Sequence, residues 1–147
     1  MTTSRLLAAG AAALATTAVL ATSGSAAPAH RSLHFVSKSQ PGVGFFPAGA
    51  PKQGSQLGFG DTITGSDHGT DRGVCTLIGG RMLCTVQVTL SKGTLAVQGL
   101  LPEHPHHTPL AVVGGTGAYK GASGTARATE ISASTTRIDV SLGRPQG

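Results

Sequence analysis

The two cysteines are the residues whose spacing most directly predicts a chemical event, the formation of a disulfide. Cys75 and Cys84 flank Gly79-Gly80, and a Gly-Gly pair between two β-rich runs is typical of a two-residue hairpin because both turn residues need positive φ. Counting outwards from this turn places Cys75 opposite Cys84 in a non-hydrogen-bonded pair, where Cα atoms lie about 4.5 Å apart. A disulfide can span that separation, whereas two cysteines alone are too few ligands for a zinc site.

A histidine-rich tract further along the chain is the second group that could do chemistry. His104, His106 and His107 lie within a few residues of one another, and short tracts of this kind bind metals in some proteins. The neighbouring prolines favour an extended loop, and the sequence offers no distant set of ligands to complete a site. We therefore predict no metal site and interpret the tract as a solvated loop at the rim of the domain, with a gating role left open.

A glycine-rich run, Gly114-Gly115-Thr116-Gly117, follows an apolar segment and invites comparison with phosphate-binding loops. A dinucleotide fingerprint needs a further glycine where this chain has Lys120, and it needs a following helix. The Gly-Lys-Ser/Thr sequence of a P-loop is missing, as is the G-x-S-x-G elbow of serine hydrolases. The run is better interpreted as a bulged turn that requires positive φ.

Composition and charge narrow the class of protein. The chain has 147 residues with 11 Lys and Arg against 6 Asp and Glu, a formal net charge of +5. The basic residues are scattered, and four phenylalanines and one tyrosine are the only aromatic residues. Nucleic-acid binding usually needs a basic stripe or stacking aromatics, so we predict no nucleic-acid partner. The 22 glycines and a charged fraction of 12% favour short strands with many turns.

Residues 1–29 are typical of a secretory signal peptide. Arg5 provides the positive start, an apolar run from Leu6 to Ala21 follows, and Ala27-Pro28-Ala29 fits a cleavage site. The apolar run is shorter than the roughly 20 residues that a spanning helix needs. We therefore predict a secreted, extracellular protein that has no membrane contact after cleavage, and an oxidising environment that favours the disulfide.

The remaining chain divides into an irregular arm and a β domain. Prolines and glycines interrupt residues 30–56, where only Leu33–Val36 resembles a strand, so we predict an irregular N-terminal arm there and a domain over residues 57–147. We interpret 66–73 and 102–109 as loops. Alternating side chains predict strands at 81–90, 94–101 and 135–142. We also predict short strands at 58–65, 74–78, 110–113 and 125–131, of which 110–113 is a continuous apolar run. Such spacing favours an antiparallel barrel or sandwich.

Two segments resemble a known family. The run Leu110–Gly124 resembles the "AVVGGTGxYxGAxG" segment of the dirigent and allene oxide cyclase-like barrels, and Gly93–Leu100 is similar to "GxLxVQGL" in their secreted bacterial branch. The likeness covers about residues 57 to 142. It implies an all-β, eight-stranded antiparallel barrel with a lipophilic cavity that works without metal or organic cofactor. Because plant members are trimers, it also allows a homo-oligomer.

The resemblance also suggests site residues. Asp61 and Asp67 lie near the region where the family places pocket acids, and Tyr119 and Arg127 are further polar candidates at strand ends. No general acid or base can be assigned among them. Three functions stay open: a dirigent-like barrel that binds a small lipophilic molecule and steers its conformation, a cofactor-free isomerase or cyclase of the allene oxide cyclase type, and a plugged barrel with a structural or surface-interaction role.

Overall fold

Eight antiparallel strands form a closed β-barrel. The structure, a computed structural model, describes residues 30–102 and 107–143. Each strand pairs with its neighbours in sequence, and the last strand pairs with the first. The predicted all-β, eight-stranded antiparallel barrel is therefore confirmed. The elements are β1 (Arg31–Phe45), β2 (Gln56–Gly65), β3 (Gly69–Ile78), β4 (Arg81–Leu90), β5 (Gly93–Leu101), β6 (His107–Gly115), a short 3₁₀ helix (Gly117–Tyr119), β7 (Gly124–Ser132) and β8 (Thr135–Leu142).

The apolar core lies inside the barrel because successive side chains of a strand point to opposite faces. In β4, Cys84, Val88 and Leu90 are buried, while the intervening Thr85 and Gln87 are exposed. The same alternation operates in β5 and β8, as the sequence pattern predicted. Inward-pointing residues from around the barrel form one cluster, which includes Leu33, Ile63, Leu95, Val112, Ala126 and Val140.

The β3–β4 hairpin has the predicted turn and register. Gly79 and Gly80 have φ of 57° and 72°, which is the left-handed conformation that a two-residue turn requires. Cys75 pairs with Cys84 in the ladder and forms the predicted disulfide, with the two Cα atoms 4.0 Å apart. Both cysteines point into the barrel and are buried, so the disulfide belongs to the interior wall.

The prediction of an irregular arm over residues 30–56 is wrong for most of its length. β1 pairs with β8 along Arg31–Lys38 and with β2 from Phe35 onwards. The barrel can close only if a first strand pairs with the last, and this pairing outweighs the local effect of the breakers. Pro41 and the neighbouring glycines lie where the β1–β2 register shifts between Ser39 and Gly44, a bulge that tolerates a residue without a backbone N–H.

Two strands begin earlier than predicted, inside segments that we interpreted as loops. β3 begins at Gly69, inside the predicted 66–73 loop, and β6 begins at His107, inside the predicted 102–109 loop. In both cases the partner strand continues the ladder past the turn-forming residues. The predicted signal peptide, His104 and His106 lie outside the described residues. Among the residues that are described, no helix has the length and apolar character to cross a membrane.

Candidate functional site

One end of the barrel is closed by a hydrogen-bond cluster around the buried carboxylate of Asp67. Ser91 Oγ and Tyr119 OH donate to this carboxylate at 2.5 and 2.9 Å, and the backbone N–H groups of His68 and Lys92 donate at 2.8 and 3.3 Å. Four donors stabilise the ionised form. The hydrogen bond from Ser91, supported by the other three, holds the pKa of Asp67 well below its usual value despite burial.

The glycine-rich run places Tyr119 in this closed end, which we define by Asp67, Ser91 and Tyr119. The backbone N–H of Thr116 donates to Thr94 O at 3.0 Å, and that of Ala118 donates to Lys92 O at 2.8 Å, so the 3₁₀ helix folds under the barrel. The Arg31 guanidinium lies 5.0 Å from the centre of the Tyr119 ring, within the range of a cation–π contact. Burial, and then the Asp67 carboxylate, raise the pKa of Tyr119. Side chains and the 3₁₀ helix therefore fill this end of the barrel, and its role is structural.

The rest of the interior contains a cavity of about 300 Å³ that is lined by residues from all eight strands. Its wall is largely apolar, with Phe35, Val86, Val97 and Ile138 among the contributors. An eight-stranded barrel is just wide enough either to be filled by side chains or to hold one small ligand. This barrel does both, because its closed end is filled and the cavity occupies the other part.

Two aspartates form the polar centre of the cavity wall. Asp61 and Asp71 are directly opposite each other in the β2–β3 ladder. Ser37 Oγ donates to Asp61 Oδ2 at 2.5 Å, and the backbone N–H of Asp61 donates to Asp71 Oδ1 at 3.0 Å. Asp71 is only 3% exposed. Burial, and then the negative charge of Asp61, raise the pKa of Asp71 to about 6.

Two polar groups on this wall have unused hydrogen-bonding capacity. Within residues 30–102 and 107–143, the Asp61 N–H is the one hydrogen-bond donor to the Asp71 carboxylate, and it reaches Oδ1 alone. Thr108 is 4% exposed, lines the cavity and makes no side-chain hydrogen bond to the described residues. Every fully buried side-chain N or O atom of the described residues has a hydrogen-bond partner. These two groups therefore keep contact with the interior space, where they are available to a molecule that enters the cavity.

Comparisons with known proteins identify the fold. No protein-family model matches the chain, and no curated protein matches it. Among solved structures, a pyocyanin demethylase superposes with a TM-score of 0.68 at 18% identity, covering 76% of this chain and 99% of that one. The pterocarpan synthase dirigent protein GePTS1 gives 0.66 at 19%, covering 89% and 98%, and PsPTS1 gives 0.60 at 21%, covering 82% and 97%. The chain has the dirigent-like barrel fold.

The residues predicted from the sequence do not form one site in this dirigent-like barrel. Asp61 lies in the cavity wall. Asp67 and Tyr119 contact each other, but in the closed end and outside the cavity. Arg127 is exposed on the outer face of β7, opposite Asp139. Its placement as a pocket candidate is wrong, because its neighbours Ala126 and Ala128 take the inward positions of that strand.

Asp71, Ser37 and Thr108 are polar cavity residues that the sequence does not indicate. The sequence predicts loops around Asp71 and Thr108 and an irregular arm around Ser37. The sequence nevertheless contains a signal for Asp71. Asp71 lies four residues before Cys75, so extending the hairpin ladder backwards from the disulfide places both side chains on the inner face. No comparable local signal marked Ser37, because β1 is defined by its pairing with β8.

Proposed function

We propose that this barrel is a secreted protein that binds a small lipophilic molecule in its cavity and holds that molecule in one conformation. The observation that carries the proposal is the cavity of about 300 Å³ with a largely apolar wall. Ligand sites of soluble proteins start at about this size and combine apolar walls with a few placed polar groups. A plugged interior would leave no such volume, so the structural alternative has less support.

The polar groups of the wall give the bound molecule an orientation. Asp61, Asp71 and Thr108 offer hydrogen bonds from the β2, β3 and β6 sides of the wall. Restricting a reactive molecule to one geometry accelerates or directs a reaction without a chemical group from the protein, since it removes translational and rotational freedom in advance. This is the way in which a dirigent-like barrel would act.

Native mass spectrometry of the protein isolated from its own culture medium tests the proposal. We expect a small-molecule adduct that is lost on denaturation. Ala128→Leu fills space in the cavity and should abolish the adduct, whereas the same change at the exposed Ala111 of β6 should leave it intact. A wild-type protein without an adduct, or an adduct that survives Ala128→Leu, would contradict binding in the cavity.

Secretion is supported by the disulfide, since disulfides persist mainly in oxidising compartments. The denatured mass of the same sample tests it. We expect a chain cleaved after Ala29, or after Ala26 because Gly24-Ser25-Ala26 also fits a cleavage site, and lighter by two hydrogens because of the Cys75–Cys84 bond. A full-length mass from the cell interior would contradict secretion.

A cofactor-free isomerase is a second candidate, and one observation favours it. A carboxyl group with a pKa of about 6 inside the cavity, Asp71, is suited to general acid–base catalysis near neutral pH. Its test uses the molecule found as the adduct. If the protein converts it, the rate should change with pH near 6 in the wild type and lose that dependence in Asp71→Asn. A pH-independent rate in the wild type would exclude this role.

A further inference from the structure

Positive and negative charges are separated across the barrel wall. Every lysine and arginine among the described residues is exposed on the outside. The cavity wall contains the carboxylates of Asp61, Asp71 and the exposed Glu130, and no Lys, Arg or His of the described chain contributes to it. A chain with a formal net charge of +5 therefore encloses an anionic cavity.

Among the described residues, Asp61 and Asp71 have no positively charged side chain beside them in the cavity wall. The half-buried carboxylate of Asp61 and the buried carboxylate of Asp71 repel each other, and a buried charge is stable only when it is paired and hydrogen-bonded. Asp71 receives one backbone N–H on Oδ1, and Arg72 points outwards, where it bonds to the backbone carbonyl of Asp71 through Nη1 at 2.9 Å. Among residues 30–102 and 107–143, no donor reaches Oδ2 of Asp71 and no side chain bonds to the Thr108 hydroxyl. Both groups can therefore bond to a guest in the cavity, and this observation is independent of the charges.

We propose that the cavity selects lipophilic molecules that carry a protonated amine and rejects lipophilic carboxylates. The ammonium group would lie between Asp61 and Asp71, and the apolar wall would enclose the remainder of the molecule. An ammonium group has three N–H donors and no acceptor, so it can bond to both aspartates at once. A carboxylate guest would add a further negative charge to a site of low dielectric. This inference rests on the proposed function, and it specifies the ligand class.

Three naphthalene compounds of nearly equal size test the selection: 2-(1-naphthyl)ethylamine, 2-(1-naphthyl)ethanol and 1-naphthylacetate. Titration calorimetry of the full mature protein at pH 7.5 should give an affinity at least tenfold higher for the amine than for the alcohol, with the acetate weaker than both. If the alcohol or the acetate binds as tightly as the amine, the charge selection is wrong while the binding function stands. If none of the three binds, both proposals fail.

A pair of variants locates the selection within the cavity. Asp61→Asn with Asp71→Asn should reduce the preference for the amine over the alcohol at least tenfold while the alcohol still binds. Asp139→Asn removes a carboxylate from the outer face, where it bonds to His34 Nδ1 at 2.8 Å, and should leave the preference unchanged. Retained alcohol binding shows that the double variant is folded. An unchanged preference in the double variant would overturn the assignment.

Discussion

Two buried aspartates at different positions along the barrel axis show how environment assigns opposite roles to the same side chain. Asp67, in the closed end, receives four hydrogen bonds from Ser91, Tyr119 and two backbone N–H groups. Asp71, in the cavity wall, is equally buried but receives one. Burial alone therefore does not determine ionisation. The number of converging donors separates a carboxylate that holds the structure together from one that is available to a ligand.

The difference has opposite consequences for stability as the pH changes. The pKa of Asp67 is lowered on folding, so the stabilisation that it contributes is present above its unfolded value of 3.8 and is lost as the pH falls below it. The pKa of Asp71 is raised from 3.8 to about 6. Its contribution is most favourable below pH 3.8 and is lost as the pH rises through 6.

The largest effect should come from removing the charge in the closed end. In Asp67→Asn, an amide nitrogen replaces one acceptor oxygen, and the two backbone N–H groups cannot reorient to avoid it. We expect the greatest loss of stability of the variants discussed here, measured by urea unfolding at pH 7, and a smaller difference from wild type at pH 3. The exposed Asp139→Asn serves as the control. A loss no greater than in this control would show that the four hydrogen bonds do not stabilise the closed end.

Removal of the disulfide should have the next largest effect. Cross-linking a loop of about ten residues is worth about 2–3 kcal/mol through the unfolded chain. The double variant Cys75→Ser, Cys84→Ser should lower the free energy of unfolding by that amount without changing the barrel, as judged by the circular dichroism spectrum. Reduction of the disulfide in the wild type should lower the free energy of unfolding by the same amount. An unchanged unfolding curve would show that strand pairing alone holds this part of the cavity wall.

In the cavity the equivalent substitution should stabilise the protein. Asp71→Asn removes a charge that burial and Asp61 disfavour, and a pKa raised by about two units corresponds to an upper limit of about 3 kcal/mol. We expect a gain of about 2 kcal/mol at pH 8 that disappears below pH 4, measured by urea unfolding across this range. Destabilisation at pH 8 would mean that Asp71 is structural, like Asp67, and the comparison between the two aspartates would fail.

The closed end and the cavity wall also show which features of the structure the sequence alone predicts. Local signals were sufficient for the β3–β4 hairpin: the Gly79-Gly80 turn fixes the register and hence the disulfide. They were insufficient for β1, whose glycines and Pro41 are accommodated only because the strand closes the barrel. The inward position of Ser37 and the burial of Asp71 both depend on the closure of the barrel. The contact between Asp67 and Tyr119 joins residues 52 positions apart, and no periodic pattern encodes it.

The smallest effect tests whether the donors in the closed end act through Asp67. Tyr119→Phe removes one hydroxyl donor and keeps the buried ring. Because three other donors remain, it should cost about 1.5 kcal/mol, the lower end of the range for a hydrogen bond to a charged group. In the Asp67→Asn background the same change should cost clearly less, because the charge is already gone. The double-mutant cycle is measured by urea unfolding at pH 7. Equal costs in the two backgrounds would assign the role of Tyr119 to the packing of its ring under Arg31 and not to its bond with Asp67.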